Sequence, residues 1–257
     1  MKFNFVQVLA YCLSCGFYFE YKYMKITAVS DMHGTLDFKV EKSNILCICG
    51  DIFPLRIQRQ MFLCEQWLKD TFINWCKNQP VEQIYLIGGN HDLFFQFKGK
   101  EKLKEIFRDT NITYLEDELA TYVDDKTGKE YSIYGSPWCH KFGNWAFMDY
   151  DDKELETKFL QMPDNVDILL THDAPYGCSD LLDDKQLEMM FRKNPGHIGS
   201  IGLANAIKVK KPKFNLHGHL HSTNHNEEDL EGTKVYNVSY LDEFYNPKYK
   251  PLIISVD

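Results

Sequence analysis

The sequence has no excess of basic residues, no long apolar run and no low-complexity tract. Its 257 residues include 37 Asp and Glu against 29 Lys and Arg, so the formal net charge is −8. This balance argues against nucleic acid as a partner, because proteins that bind the phosphate backbone normally carry a basic surface. With 44% hydrophobic and 26% charged residues, the composition also excludes a disordered or collagen-like chain. We therefore expect an acidic globular protein.

Cysteine pairs are scarce as well. The chain has eight cysteines, but it is neither short nor clearly secreted, which argues against a disulfide scaffold. Its Cys-x-x-Cys pair, Cys12 and Cys15, has no second pair to complete a zinc site. Cys47 and Cys49 alternate within a predicted strand, and we interpret them as buried, reduced thiols.

Residues 1–23 differ from the rest of the chain because they are mostly apolar and aromatic. Residues 6–19 resemble a weak signal-peptide core, but Gln7 interrupts them and no cleavage-site pattern follows. The stretch is also too short and too mixed for a membrane span. We favour Met24 as the functional start and 24–257 as one domain, which predicts a cytoplasmic protein. The alternative is a genuine signal or anchor in 1–23, which would make the protein secreted or membrane-attached.

From Lys25 onward, predicted strands and helices alternate, and no linker is long enough to divide the chain. We predict strands at 25–30, 44–49, 81–87, 119–123, 130–134, 166–170, 213–216, 234–238 and 252–256. We predict helices at 57–75, 100–108, 151–160 and 199–208. Strand–helix alternation followed by strand-rich sequence predicts an α/β fold, a layered α/β or α+β domain.

Five predicted strands end in residue types that bind metals. The motifs are Asp31-Met32-His33, Gly50-Asp51, Gly88-Gly89-Asn90-His91-Asp92, Thr171-His172-Asp173 and His217-Gly218-His219-Leu220-His221. Each alone is common in turns, but five in succession after strands indicate one site, since strand tips converge in open α/β sheets. The glycines before Asp51 and Asn90 are expected to permit tight turns and close backbone approach.

The donor types indicate what this site binds. Asp, Asn and His without cysteine suit manganese, iron or zinc better than calcium. If seven of the Asp, Asn and His residues in these motifs are ligands, they are too many for one tetrahedral ion. They suit two divalent ions that share a carboxylate. We therefore expect a site for two metal ions.

The order of the five motifs resembles the calcineurin-like metallophosphoesterase superfamily over about residues 25–257. Within it, the chain resembles the small single-domain members near the class III cyclic-nucleotide phosphodiesterases and the metallophosphoesterase-domain-containing proteins. The segments YGSPW at 134–138, NWAF at 144–147 and VYNVS at 235–239 support this narrower resemblance. The resemblance implies a two-sheet β-sandwich core flanked by helices.

The resemblance also implies roles for single residues. The first metal would be held by Asp31, His33 and His221, the second by Asn90, His172 and His219, and Asp51 would bridge the two. His91 would stabilise or protonate the leaving oxygen, and Asp92 would orient it. The spacing of His217 would also allow it to be a ligand. The Gly-His-x-His motif assigns the ligand role to His219 and His221 instead, so we leave His217 out of the ligand set. His140 either contacts the substrate or packs among aromatic residues.

The implied activity is hydrolysis of a small phosphodiester by a hydroxide that bridges two divalent ions. A phosphomonoesterase or protein phosphatase is the alternative, although Asp51 is followed by Ile52-Phe53-Pro54 rather than by the Asp-Arg-Gly of the protein phosphatases. A non-catalytic, metal-stabilised binding protein is a further alternative. The physiological substrate, the metal used in the cell and the oligomeric state stay open at this point.

Overall fold

A five-stranded sheet carries the first three motifs. The structure, a computed structural model, describes residues 9–11, 18–20, 23–148, 150–182 and 196–256. The sheet has the order β13-β3-β4-β5-β6. Its strands are β3 (Met24–Val29), β4 (Ser43–Ile48), β5 (Val81–Leu86), β6 (Ile112–Tyr114) and β13 (Leu252–Val256). The strands β3 to β6 are parallel, and β13 runs antiparallel on the β3 edge.

A six-stranded sheet carries the remaining two motifs and has the order β11-β12-β10-β9-β8-β7. Its strands are β7 (Glu118–Val123), β8 (Glu130–Ser136), β9 (Ile168–Thr171), β10 (Phe214–His217), β11 (Glu228–Leu230) and β12 (Thr233–Asn237). The central strands β8, β9, β10 and β12 are parallel, and the two edge strands are antiparallel. A separate antiparallel pair joins β1 (Leu9–Tyr11) and β2 (Tyr18–Glu20).

The two sheets share one buried apolar cluster, and helices cover a second. The shared cluster includes Ala28, Cys47 and Tyr85 from one sheet and Ile133, Leu170 and Leu216 from the other. Leu46 and Ile48 point away from it into the cluster that contains helical residues. Strand β4 is therefore buried on both faces, as its continuous apolar run predicts. Cys47 and Cys49 are buried and unpaired, which confirms their interpretation as reduced thiols.

The helices confirm the expected α/β architecture, with differences in detail. They are α1 (Met61–Trp67), α2 (Ile73–Lys77), α3 (Leu93–Lys98), α4 (Lys100–Phe107), α5 (Asp152–Phe159) and α6 (Ile201–Lys210). The predicted helix at 57–75 begins only at Met61, and a π-helical turn, Leu68–Phe72, joins α1 to α2. The sequence does not predict helix α3, because LFFQFK lacks amphipathic periodicity. Strands β6 and β11 are three residues long, too short for a periodic signal.

The topology brings the motif-bearing strand ends to one place. Strands β3, β4 and β5 are parallel neighbours, and so are β9 and β10, so the carboxyl ends within each set lie at one edge. The two edges are joined by a parallel bridge between Ser30 and Ser239. There the Ser30 N–H donates to Val238 O at 2.8 Å. This bridge holds the first motif against the second sheet.

The N-terminal predictions fall mostly outside the described residues. Cys12 and Cys15 lie there, and the choice between Met24 and Met1 as the start stays a prediction, as does the domain at 24–257. Within the described part of the chain, no helix is long and apolar enough to cross a membrane.

Candidate metal centre

The predicted ligand residues gather at the joined strand ends in overlapping groups. Asp31 and His33 follow β3, Asp51 follows β4, Asn90 follows β5, His172 follows β9, and His219 and His221 follow β10. In the described residues, three groups have ligand atoms that all lie within 4.8 Å of one another. They are Asp31–His33–His221, His33–Asp51–His91 and Asp31–Asp51–His172. Asp31, His33 and Asp51 each belong to two of these groups, so the groups share their ligand atoms.

The first half of the centre is built around Asp31. His221 Nε2 lies 3.2 Å from Asp31 Oδ1, and His33 Nε2 lies 3.6 Å from Asp51 Oδ2. The carboxylate of Asp31 also accepts hydrogen bonds from the His219 N–H and the Ser239 hydroxyl. Both ring nitrogens of the buried His33 have no hydrogen-bond partner in the described structure. Such orphaned nitrogens are rare in protein interiors, and here they leave the His33 ring able to hold a metal ion.

The second half of the centre is built around His172, which is fully buried. Its Nδ1 lies 2.7 Å from Cys49 O, so Nδ1 donates to that carbonyl. Its Nε2 then faces Asn90 Oδ1 at 2.9 Å and Asp51 Oδ2 at 3.4 Å. A neutral imidazole would present its lone pair to two oxygens that also carry lone pairs. A cation at this point relieves that repulsion, and the His219 ring lies alongside, 5.2 Å from His172 between centroids.

The donor chemistry therefore fits divalent metal ions. Two of the histidines show the arrangement typical of metal ligands, in which one ring N–H is held by a protein acceptor and the other nitrogen is left for the ion. His172 donates to Cys49 O, and His221 Nδ1 lies 2.8 Å from Asp242 O. The carboxylates of Asp31 and Asp51 supply oxygen donors and negative charge between the imidazoles.

Four of the residues in this centre have left-handed backbone. Asp31, His33, Asp51 and His219 have φ angles of +54°, +43°, +55° and +68°. Residues with a side chain rarely adopt this left-handed region, and each instance costs roughly 1–3 kcal/mol. Strain of this kind persists where surrounding structure enforces it, and it is common at functional sites.

Two glycines permit the ligand loops to approach each other, as the sequence predicts. Gly50 has φ +94°, and a Cβ there would lie 2.6 Å from Gly89 N. A Cβ at Gly89 would lie 2.3 Å from Asp51 Oδ1 and 2.6 Å from His172 Cε1. Any side chain at Gly89 would thus displace two of the predicted ligands.

Asp92 has a different place from the one the resemblance implied. Its Oδ2 accepts from the N–H groups of Asp51 and Gly89 at 2.7 and 2.8 Å. Its Oδ1 accepts from Ile52 and Phe53 at 2.9 and 3.3 Å. Because it accepts hydrogen bonds from four backbone N–H groups, the carboxylate points into the protein and holds the two ligand loops together. The orientation of His91 by Asp92 is therefore corrected, because the ring of His91 pairs with Gln58 instead.

The electrostatics of the centre divide the histidines into two classes. Burial opposes ionisation of Asp31 and Asp51, but His221 beside Asp31 and His172 beside Asp51 hold both carboxyl pKa values well below their usual range. Burial likewise opposes the charged form of His172, yet Asp51 raises its pKa to about 10. Asp31 similarly raises the pKa of His221 to about 9. Burial lowers the pKa values of His33 and His219 to about 4.

The two histidines that the sequence left unassigned lie beside the centre. His217 is fully buried and, like the predicted ligand His219, belongs to none of the three groups; burial lowers its pKa to about 4. His140 Nδ1 and its backbone N–H each lie 2.8 Å from Asp173 Oδ2. His140 also lines the cavity over the centre, and its ring lies 5.9 Å from that of Phe142 between centroids, so both expected roles stay predictions.

A cavity of about 550 Å³ opens over the predicted ligands. Aromatic side chains form much of its wall. Phe142 stacks on His219 with 5.3 Å between ring centroids, and Tyr245 meets His33 edge-on at 5.0 Å. The ring centroid of Trp145 lies 4.5 Å from that of His91. Sequence reasoning missed Tyr245, which belongs to no motif or periodic segment. It also missed Gln58, which lies in the predicted helix 57–75 but at none of its apolar positions.

The role of Asp92 predicts a large loss of stability when its carboxylate is removed. Asp92→Ala leaves four buried N–H groups without an acceptor and should lower the free energy of unfolding by at least about 3 kcal/mol. Asp229→Ala is the matched control, since Asp229 accepts one exposed N–H, from Gly232. Urea unfolding of metal-free protein measures both. Equal losses in the two variants would contradict the bracing role of Asp92.

The raised histidine pKa values predict proton release on metal binding. With pKa values of about 10 and 9, His172 and His221 hold protons at neutral pH in metal-free protein and must lose them to bind an ion. Binding should therefore tighten with rising pH and release at least about two protons near neutrality. Calorimetric titration with zinc in buffers of different ionisation enthalpy measures this number. Heats that do not depend on the buffer would contradict the expectation, and His221→Asn should release about one proton fewer.

Comparison with known proteins agrees with this geometry. The sequence profile described as Calcineurin-like phosphoesterase matches residues 24–223. Metallophosphoesterase domain-containing protein 1 from Homo sapiens is 27% identical over 257 residues, which cover 91% of this chain and 71% of that protein. UPF0046 protein T07D4.2 from Caenorhabditis elegans is 29% identical over 192 residues, which cover 66% of this chain and 46% of that protein.

The fold is also found in a solved structure, that of TT1561 from Thermus thermophilus. It superimposes with a TM-score of 0.51 at 16% identity, over 84% of this chain and 89% of that chain. The likeness shows a shared fold, and it confirms the two-sheet architecture that the motif order implied. Together with the profile match and the clustered ligand residues, it leads to one conclusion: the chain belongs to the calcineurin-like phosphoesterase family and is a metal-dependent phosphoesterase.

Proposed function

We propose that this chain hydrolyses a small phosphodiester with the help of two divalent ions. One ion would be held by Asp31, His33 and His221, the other by Asn90, His172 and His219, with Asp51 shared between them. The observation that carries the proposal is the convergence of buried lone-pair donors on both sides of Asp51. Manganese, iron and zinc are the ions that this donor set favours.

The contacts indicate which parts of the reaction the metal ions would support and which parts the protein side chains would support. When bound, the ions supply an activated water at neutral pH and neutralise charge on the phosphate. The protein holds the shared carboxylate in place, since the His91 N–H donates to Asp51 Oδ1 at 2.7 Å. The His91 ring lies in the cavity wall, and its Nδ1 is taken by Gln58. Its Nε2 is then the atom left to give a proton to the leaving oxygen.

The charge of the cavity supports a diester over a monoester. A phosphomonoester carries about 1.5 to 2 negative charges near neutral pH, whereas a diester carries one. Among the described residues that line the cavity there is no Lys or Arg, and Glu243 adds a negative charge. A singly charged ester is the better match. The net charge of −8 supports a small substrate rather than nucleic acid. A cytoplasmic location remains part of the proposal, because it depends on a start at Met24.

A substrate panel tests the preference for diesters. Protein loaded with manganese, iron or zinc should hydrolyse bis-p-nitrophenyl phosphate and at least one cyclic nucleotide with a higher kcat/KM than p-nitrophenyl phosphate. Faster hydrolysis of p-nitrophenyl phosphate would indicate a phosphomonoesterase. Absence of turnover with two ions bound would instead indicate a non-catalytic binding protein.

Two substitutions separate metal binding from proton transfer. Asp51→Ala should abolish both metal binding and turnover, because it removes the shared ligand. His91→Ala should keep the metals and lower kcat on a cyclic nucleotide by roughly 10²–10⁴-fold. Elemental analysis and steady-state kinetics measure the two effects. His197→Ala is the control, since its ring pairs with Asp180. Full activity of His91→Ala on a cyclic nucleotide would refute the proton-transfer role.

A further inference from the structure

A short segment after the Asp51 loop contacts His91 outside the ligand set. Gln58 Oε1 lies 2.5 Å from His91 Nδ1, and both side chains are partly buried. No motif contains Gln58, which is seven residues beyond Asp51. It is the partner that the imidazole has in place of Asp92, whose carboxylate is used by four backbone N–H groups.

This contact determines the tautomer of the ring. The carboxamide oxygen of Gln58 faces the ring and only accepts hydrogen bonds, so we assign His91 Nδ1 as the donor. The hydrogen bond at one ring nitrogen determines which proton the ring keeps when it is neutral. Gln58 therefore keeps a proton on Nδ1 and leaves the lone pair of the neutral ring on Nε2.

The same segment also fixes the plane of the ring. Trp145 lies against His91 with 4.5 Å between ring centroids and 38° between planes. The guanidinium of Arg59, the residue after Gln58, lies 4.6 Å from the Trp145 ring centroid. The loop of Trp145 is tied to the centre as well, because the Ala146 N–H donates to Asn90 O at 3.0 Å. Gln58 thus acts in a packed setting where the ring has little freedom to turn.

We propose that Gln58 is a positioning residue that holds His91 with Nδ1 protonated and directs Nε2 to the leaving oxygen. This inference rests on the proposed function. In the step, a hydroxide oxygen forms a bond to phosphorus, the bond between phosphorus and the leaving oxygen breaks, and the Nε2 proton moves to that leaving oxygen. The ring keeps its Nδ1 proton and becomes neutral in the tautomer that Gln58 stabilises, and solvent water then restores the Nε2 proton.

The tautomer can be measured without any turnover. We suggest ¹⁵N-histidine NMR of the full-length, zinc-loaded chain, because zinc is diamagnetic, with His91 assigned by the signal missing in His91→Ala. In its neutral form, the His91 ring of the native chain should carry its proton on Nδ1. Gln58→Leu should move the proton to Nε2, and Gln58→Glu, which keeps an acceptor oxygen, should restore it to Nδ1. Gln60→Leu is the matched control, since its amide donates to Arg56 O.

A leaving-group comparison gives the second readout. Gln58→Leu should lower kcat about tenfold on a cyclic nucleotide, a fraction of the full 10²–10⁴-fold acid contribution. It should leave KM, metal content and hydrolysis of bis-p-nitrophenyl phosphate unchanged, because nitrophenolate leaves without a proton. Thermal unfolding of each variant verifies that it is folded, and Gln58→Ala serves if the leucine variant is not.

The outcomes separate this inference from the proposed function. If His91→Ala does not slow cyclic-nucleotide hydrolysis, the proposed role of His91 fails, whatever Gln58 does. If His91→Ala slows it and Gln58→Leu changes neither the tautomer nor kcat, the positioning role of Gln58 is wrong. A neutral native ring that is protonated on Nε2 overturns the inference directly.

Discussion

The structure depends on one electrostatic constraint, the crowding of lone-pair donors around the buried carboxylate of Asp51. His33 and His172 approach Asp51 Oδ2 to 3.6 and 3.4 Å from two sides. Burying such a carboxylate is costly unless cationic partners compensate for lost hydration. Protons on His172 and His221 provide that compensation in metal-free protein, and the proposed metal ions would provide it more completely. The same geometry thus explains both the shifted pKa values and the affinity for divalent ions.

The fold keeps these donors together against their mutual repulsion. Parallel strands deliver the ligand loops to one edge, and the bridge between Ser30 and Ser239 locks the two sheets at that point. Asp92 gathers the N–H groups of two adjacent loops, while left-handed backbone at Asp31 and Asp51 turns both carboxylates into the site. A centre held in this way is preorganised, so the cost of arranging it falls on folding rather than on each turnover.

The sequence predicts the fold well, and it also predicts which side chains meet at the strand ends, because both follow from local patterns. Apolar strands and the residues directly after them are read from the chain, and topology then brings the strand ends together. Contacts between side chains on separate loops leave no local pattern in the sequence, so they cannot be predicted in this way. The spacing of Asn90, His91 and Asp92 suggests that Asp92 orients its neighbour, but the backbone turns the carboxylate inward and a distant residue, Gln58, takes its place.

Anomalous diffraction from crystals grown with manganese or zinc tests the central claim most directly. We predict two metal peaks that share Asp51. One should also be bound by Asp31, His33 and His221, the other by Asn90, His172 and His219. A single peak, or peaks that do not contact Asp51, would contradict the proposed two-metal centre.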